Sequence, residues 1–300
     1  VFIIKEIKGI IPALVTPVDS QENVNKDAVR KLVNHTISKG VHGLFAVSST
    51  GEAYALDFKQ RKEMIETVIE ETNGRVPVYA GTGVTTTREA VQLTQMAEAA
   101  GADVLSILTP VFIGPSEDEL YEHYVTIAKA TKLPILLYSN PGRTNIKLSV
   151  KLVEKLSHID NIVGMKDSSG DVTLAGEYIR ATKNSSKEFT LIAGKDEVIL
   201  ASLIYGGAGA IASAANMAPD LAVSIYDNFK KGDLKAALAA QEKLSDLRKL
   251  LNLSTYPGAI KEATSMIGID CGDPIKPIGK LSSENKKKIY DKMKELGLLK

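Results

Sequence analysis

The stretch Ile162-Val163-Gly164-Met165-Lys166-Asp167-Ser168-Ser169 sets a short apolar run directly against a lysine, an aspartate and two serines. A β-prone run bounded by turn residues reads as a buried strand, and the polar residues mark its C-terminal end. The same pattern recurs along the chain at residues 10–15, 43–47, 76–80, 104–108, 135–138, 190–193 and 210–213, making eight candidate strands with 162–165. Between them lie segments with helical apolar spacing, such as Ala28, Leu32 and His35, or Met64, Val68 and Ile69. Most strand-to-strand intervals are about 25–35 residues, the length of a βαβ unit. Eight such units can close into a ring packed by its own side chains, so the predicted fold is α/β, a (β/α)8 TIM barrel. An open doubly wound sheet is the rival. That fold usually has fewer strands and, for dinucleotides, glycines after the first; here 10–15 runs into Thr16-Pro17-Val18-Asp19.

Helix-start signals agree with this frame. Thr85-Thr86-Thr87-Arg88-Glu89 and Pro115-Ser116-Glu117-Asp118-Glu119 each place a hydroxyl ahead of acidic residues after a strand. Segments 234–251, 257–267 and 283–296 read as three further helices, which divides the chain into a barrel over 1–232 and a C-terminal helical extension over 233–300. The composition, 44% hydrophobic and 24% charged, is that of a globular chain. With 37 Lys and Arg against 36 Asp and Glu, a nucleic-acid partner is not expected. Lys286-Lys287-Lys288 is interleaved with Asp291 and Glu295 and reads as a solvated helix face. The single cysteine, Cys271, closes no internal disulfide and points to a reducing compartment. The start Val1-Phe2-Ile3-Ile4-Lys5-Glu6 is too short for a signal peptide, and no apolar stretch reaches about 18 residues. The expectation is a cytoplasmic protein without a membrane partner.

In a barrel the catalytic groups project from the C-terminal strand ends. Lys166 is the sharpest signal there. A lysine of ordinary pKa, about 10.4, is almost wholly protonated at neutral pH, but desolvation can lower that value by several units and free an amine nucleophile. The plain alternative is a strand-end lysine paired with Asp167 or reaching to water. Ser48-Ser49-Thr50-Gly51 offers hydroxyls and backbone N–H groups suited to a carboxylate or a proton relay, or merely to capping a helix. Tyr138 supplies a phenol for proton transfer and Arg143 a planar fork for a carboxylate, although either could be ordinary packing or surface. Asn216 follows the eighth strand. Gly206-Gly207-Ala208-Gly209 precedes that strand and reads as a close-packing turn rather than a phosphate cradle. The four histidines, His35, His42, His123 and His158, show no metal-ligand spacing, so neither a metal nor a cofactor is expected.

Thr50-Gly51-Glu52, Tyr138 with Pro141, Gly164-Met165-Lys166-Asp167-Ser168, the Gly206–Ile211 segment and the opening Pro12-Ala13-Leu14-Val15-Thr16-Pro17 together resemble the dihydrodipicolinate synthase/N-acetylneuraminate lyase family over nearly the whole chain. The resemblance implies a barrel, assembled as a homotetramer or homodimer, that takes pyruvate and a small aldehyde through a lysine Schiff base. It places Lys166 as the imine-forming amine, Tyr138 as the general acid/base and Ser49 in a relay to the tyrosine. Thr50 falls at the pyruvate carboxylate, and the Ile211 carbonyl lies beside the bound acid. Arg143 matches the arginine by which the synthase branch holds the carboxylate of aspartate semialdehyde. Ser48, standing for the usual glycine, and Phe112 complete the substrate-binding set. Val111 and Phe112 replace two tyrosines of the synthase pattern, the second of which completes the proton relay. The implied function is therefore a pyruvate-dependent synthase in lysine biosynthesis. Its alternatives are an aldolase cleaving a 2-keto-3-deoxy sugar acid or N-acetylneuraminate, and a catalytically silent 2-oxo-acid-binding barrel.

Overall fold

A computed structural model describes residues 6–299; the apolar start read above falls mostly on residues 1–5, outside the described residues. In chain order the elements are β1 (Gly9–Pro12), α1 (Lys26–Ser38), β2 (Leu44–Ala46), α2 (Phe58–Thr72), β3 (Val78–Gly81), α3 (Thr87–Ala100), β4 (Val104–Leu108) and α4 (Glu117–Lys129). There follow β5 (Ile135–Ser139), α5 (Pro141–Thr144), α6 (Val150–Ser157), β6 (Ile162–Asp167), α7 (Val172–Ala181), β7 (Thr190–Ala193), α8 (Ile199–Ile204), β8 (Gly209–Ala212) and α9 (Pro219–Lys230). Three further helices, α10 (Leu234–Leu250), α11 (Gly258–Met266) and α12 (Ser283–Glu295), end the described chain.

All eight strands pair in parallel, in the order β1-β8-β7-β6-β5-β4-β3-β2. The ring closes where Ala13 bridges Phe45 and the Leu14 N–H donates to the Phe45 carbonyl at 2.9 Å. This is the (β/α)8 barrel expected from the sequence, with its C-terminal helices, and the doubly wound sheet is ruled out. The helix starts also hold. Thr86 accepts from the Glu89 N–H, and Ser116 and Glu119 form a reciprocal capping box.

Two apolar layers follow from the alternation of strand side chains. Ile11, Phe45, Tyr79, Val104, Leu136, Val163, Ile192 and Ile211 fill the barrel interior. Their neighbours Ile10, Leu44, Leu105, Leu137 and Met165 face the helices. The Gly206–Gly209 stretch is the close-packing turn anticipated. Gly206 has a φ of +103°, and a Cβ on Gly209 would stand 2.0 Å from the Gly9 carbonyl oxygen of β1. The triple lysine is a solvated face: Lys286, Lys287 and Lys288 pair with Glu262, Asp291 and Glu284. No helix among the described residues is long and apolar enough to cross a membrane.

Candidate active site

The bottom of the site is set by an irregularity in β6. Ile162 and Met165 face the helices and Val163 the barrel interior. Strict alternation from Val163 would turn Met165 inward and Lys166 outward. The pairing of β5 with β6 slips instead, Ile135 lying opposite Ile162 but Leu136 opposite Gly164. That extra residue resets the alternation and brings Lys166 inside. The slip needs Gly164, since a Cβ there would sit 2.4 Å from the Thr190 carbonyl oxygen and 2.9 Å from Leu136 Cδ2.

Lys166 is 4% exposed and pairs in register with Tyr138 on β5. Its Nζ lies 3.9 Å from the centroid of the Tyr138 ring and 5.2 Å from that of Phe45. Among the described residues no carboxylate comes within ion-pair distance of this amine. Asp167, the partner weighed from sequence, accepts instead from the Ser169 N–H at 3.0 Å and hydroxyl at 2.7 Å. Burial holds the Asp167 carboxyl above the ordinary carboxylate range against those bonds.

Burial by itself would raise the Tyr138 phenol. The adjacent Lys166 charge and hydrogen bonds involving Ser49, Asn140 and Lys166 outweigh it and bring the group down to about 8. Asn140 Nδ2 donates to the phenol oxygen at 3.1 Å. The same loop carries Arg143 on α5, held by the Arg143 N–H on the Asn140 carbonyl at 2.9 Å and by Thr109 donating to Thr144 at 2.9 Å.

Lys166, Tyr138, Ser49, Thr50, Arg143 and Ile211 converge on one cavity of about 120 Å³. A water's share of the liquid is about 30 Å³, so the space suits a ligand of a few heavy atoms. Ser48 and Phe112 do not line it. The Ser48 hydroxyl is folded back, accepting from the Gly51 N–H at 3.3 Å to hold the turn after β2. Phe112 is 100% exposed on the loop after β4, with a left-handed φ of +73°. No local sequence signal fixed either position. Asn216 is a brace: it accepts from the Val15 N–H at 3.0 Å and donates to the Ala13 and Ser213 carbonyls at 2.7 and 2.8 Å.

Several cavity residues escaped the sequence reading. Lys195 and Asp196 follow β7 directly, and inspecting that strand end would have found them. Arg248 and Tyr256 come from the C-terminal extension, and no strand-end rule reaches them. Arg248 Nε pairs with Asp196 at 3.2 Å. Asp196 also accepts from the Ser213 hydroxyl at 2.7 Å and N–H at 2.9 Å. Its burial raises its pKa, and Arg248 opposes that rise. Arg143, Lys166, Lys195 and Arg248 thus face a single carboxylate among the lining residues, a field that favours anionic ligands. A buried amine beside a phenol of lowered pKa, in a cationic cavity of this size, can capture the carbonyl of a small oxo acid and move a proton next to it.

Comparison with known proteins points the same way. The model of the Dihydrodipicolinate synthetase family matches residues 6–296. A 4-hydroxy-tetrahydrodipicolinate synthase of Methanopyrus kandleri is 36% identical over 299 residues, 98% of each chain. The crystal structure of the chloride-inhibited dihydrodipicolinate synthase of Acinetobacter baumannii complexed with pyruvate matches with a TM-score of 0.94 at 32% identity, covering 98% of this chain and 100% of that one. YagE, a prophage protein of E. coli K12 solved in complex with pyruvate, gives 0.94 at 31% identity over 97% and 99% of the two chains. With a shared barrel and a match along nearly its whole length, the chain belongs to the dihydrodipicolinate synthetase family.

Proposed function

We propose that the chain is a class I aldolase-type synthase that condenses pyruvate with aspartate semialdehyde through an imine on Lys166. The observation that carries this reading is a buried amine, free of any carboxylate among the described residues, in register with the Tyr138 phenol at the floor of a cationic cavity. Once the Lys166 ammonium has passed a proton to the Tyr138 phenolate, the neutral amine attacks the ketone carbon of pyruvate, and return of that proton to the departing hydroxyl releases water and leaves a protonated imine. That cation is an electron sink for removal of a methyl proton, and the resulting enamine attacks the aldehyde carbon. Tyr138 shuttles the protons through Ser49, and the Thr50 amide and hydroxyl meet the pyruvate carboxylate. Arg143 takes the carboxylate of the aldehyde. Reduction with borohydride in the presence of pyruvate should add the reduced three-carbon adduct to Lys166 by mass spectrometry, and the Lys166→Ala chain should take none. An unmodified wild-type Lys166 overturns the imine. In a coupled assay the acceptor should be aspartate semialdehyde, with an Arg143→Ala chain losing that activity; turnover confined to cleavage of 2-keto-3-deoxy acids would replace the synthase reading with the lyase one.

A second copy of the chain is part of this reading. Tyr54, Phe58, Val111, Phe112 and Ile113 are all at least 37% exposed. The Tyr54 and Val111 side chains flank a single hollow beside Arg143. Within the chain nothing offsets a fully exposed phenylalanine in a left-handed backbone, and burial against another copy would. Sedimentation velocity should therefore return a homodimer or homotetramer; a single-chain mass at micromolar concentration refutes the assembly without touching the chemistry.

A further inference from the structure

Tyr256, in the loop between α10 and α11, stands outside the strand ends, and its hydroxyl and ring have separate partners. The hydroxyl is hydrogen-bonded to Thr50 Oγ1 at 2.5 Å. The ring carries the Arg143 guanidinium on its face, 4.2 Å from the centroid. Thr50 comes from the loop after β2 and Arg143 from α5 after β5, and all three residues line the cavity. Resting on the functional reading above, in which Thr50 meets the keto acid and Arg143 the aldehyde, we propose that Tyr256 is a positioning residue that ties the two subsites together, its hydroxyl setting Thr50 and its ring face setting Arg143.

The two contacts suit that task chemically. A threonine hydroxyl is a free rotor, and a bond to a fixed phenol leaves it one defined orientation for a ligand. Stacking uses the π face of the guanidinium and leaves the N–H donors along its edge for a planar carboxylate. Burial raises the Tyr256 phenol to about 12 despite the Thr50 bond, so the group stays neutral at working pH. A neutral ring does not compete with a substrate carboxylate for the Arg143 charge. The arrangement also gives the C-terminal extension a part in substrate recognition, through a residue whose backbone lies outside the barrel.

The test separates the two contacts in the full chain. Tyr256→Phe removes the hydroxyl and keeps the ring. It should raise the pyruvate concentration that half-saturates borohydride trapping by about three- to tenfold, while KM for the aldehyde stays unchanged. Tyr256→Leu removes both contacts and should raise KM for the aldehyde as well, by about three- to tenfold. The inference is overturned if Tyr256→Phe leaves the trapping curve where it was, or raises both constants together as a general loosening of the site would. Tyr256→Phe keeps the volume of the ring, so its result stands even if Tyr256→Leu does not fold. Wild-type chain that traps no pyruvate sinks the functional reading; wild-type that traps, with a flat Tyr256→Phe response, sinks this inference alone.

Discussion

At the scale of single residues, two groups are coupled: the Lys166 ammonium favours the phenolate of Tyr138, and the aromatic ring in turn faces the amine at 3.9 Å. Because burial opposes the drop, the value near 8 depends on Lys166, Ser49 and Asn140 remaining in place. Tyr138→Phe should lower kcat by about 10²- to 10⁴-fold and remove the limb near pH 8 from the kcat/KM profile of the free enzyme. The same substitution carries a stability signature. A tyrosine whose folded value lies below its unfolded one, near 10, contributes stability that is complete above pH 10 and lost as pH falls through about 8. The denaturation midpoint of wild type minus that of Tyr138→Phe should therefore grow from pH 8 to pH 10. A constant difference would mean that the phenol is not shifted.

At the scale of elements, β6 shows how a strand can be legible while its facing is not. The apolar run 162–165 announces a strand, but with four consecutive apolar residues it has no alternation from which the inward side could be read. The slip against β5 decides it, and Gly164 permits the slip. Gly164→Val places side-chain atoms where even a Cβ is 2.4 Å from the Thr190 carbonyl, and overpacking of this kind costs about 1–3 kcal/mol. Chemical denaturation should show that loss, and borohydride trapping at Lys166 should fall in the fraction that remains folded. Full trapping in a variant with wild-type stability would mean that the register does not present the amine. The caps of α3 and α4 are the opposite case, since their bonds run between residues three apart and are written locally in Thr86, Ser116 and Glu119.

At the scale of the whole molecule, the extension is locked to the barrel through Glu52, the last residue of the Thr50-Gly51-Glu52 motif. Its carboxylate accepts from Lys261 Nζ of α11 at 2.9 Å and from the Ile275 N–H at 2.7 Å, with both side chains at most 1% exposed. Lys261 Nζ also donates to the Asp273 carbonyl at 2.8 Å. This pair pins the loop that carries Ser49 and Thr50 from behind. Removing one partner of a buried pair leaves an uncompensated charge, which costs about 3–5 kcal/mol. Lys261→Met should lose stability on that scale by denaturant titration, and a loss within about 0.5 kcal/mol, as for a surface change, would show that the pair does not hold the two parts together.

Strand number, helix periodicity, caps and the polar strand ends bearing Lys166 and Tyr138 could all be read from the chain, because each is encoded by neighbours within one turn or one βα unit. The strand-end reading had already offered Ser49, Thr50 and Arg143; the family pattern gave them roles and added Ile211, and all four line the cavity with Lys166 and Tyr138. Where Ser48 and Phe112 point was not written locally; the first is turned into its own loop and the second outward. Arg248, Tyr256 and the Glu52–Lys261 lock bring together positions as much as about 200 residues apart, as with the 209-residue separation of the buried pair. Sequence by itself determined the elements and the chemistry available at their ends, since those depend on local periodicity and residue type. The tertiary structure alone decided which side chains share one enclosed space, since closure of the ring, a one-residue slip and the docking of the last helices are long-range packing outcomes.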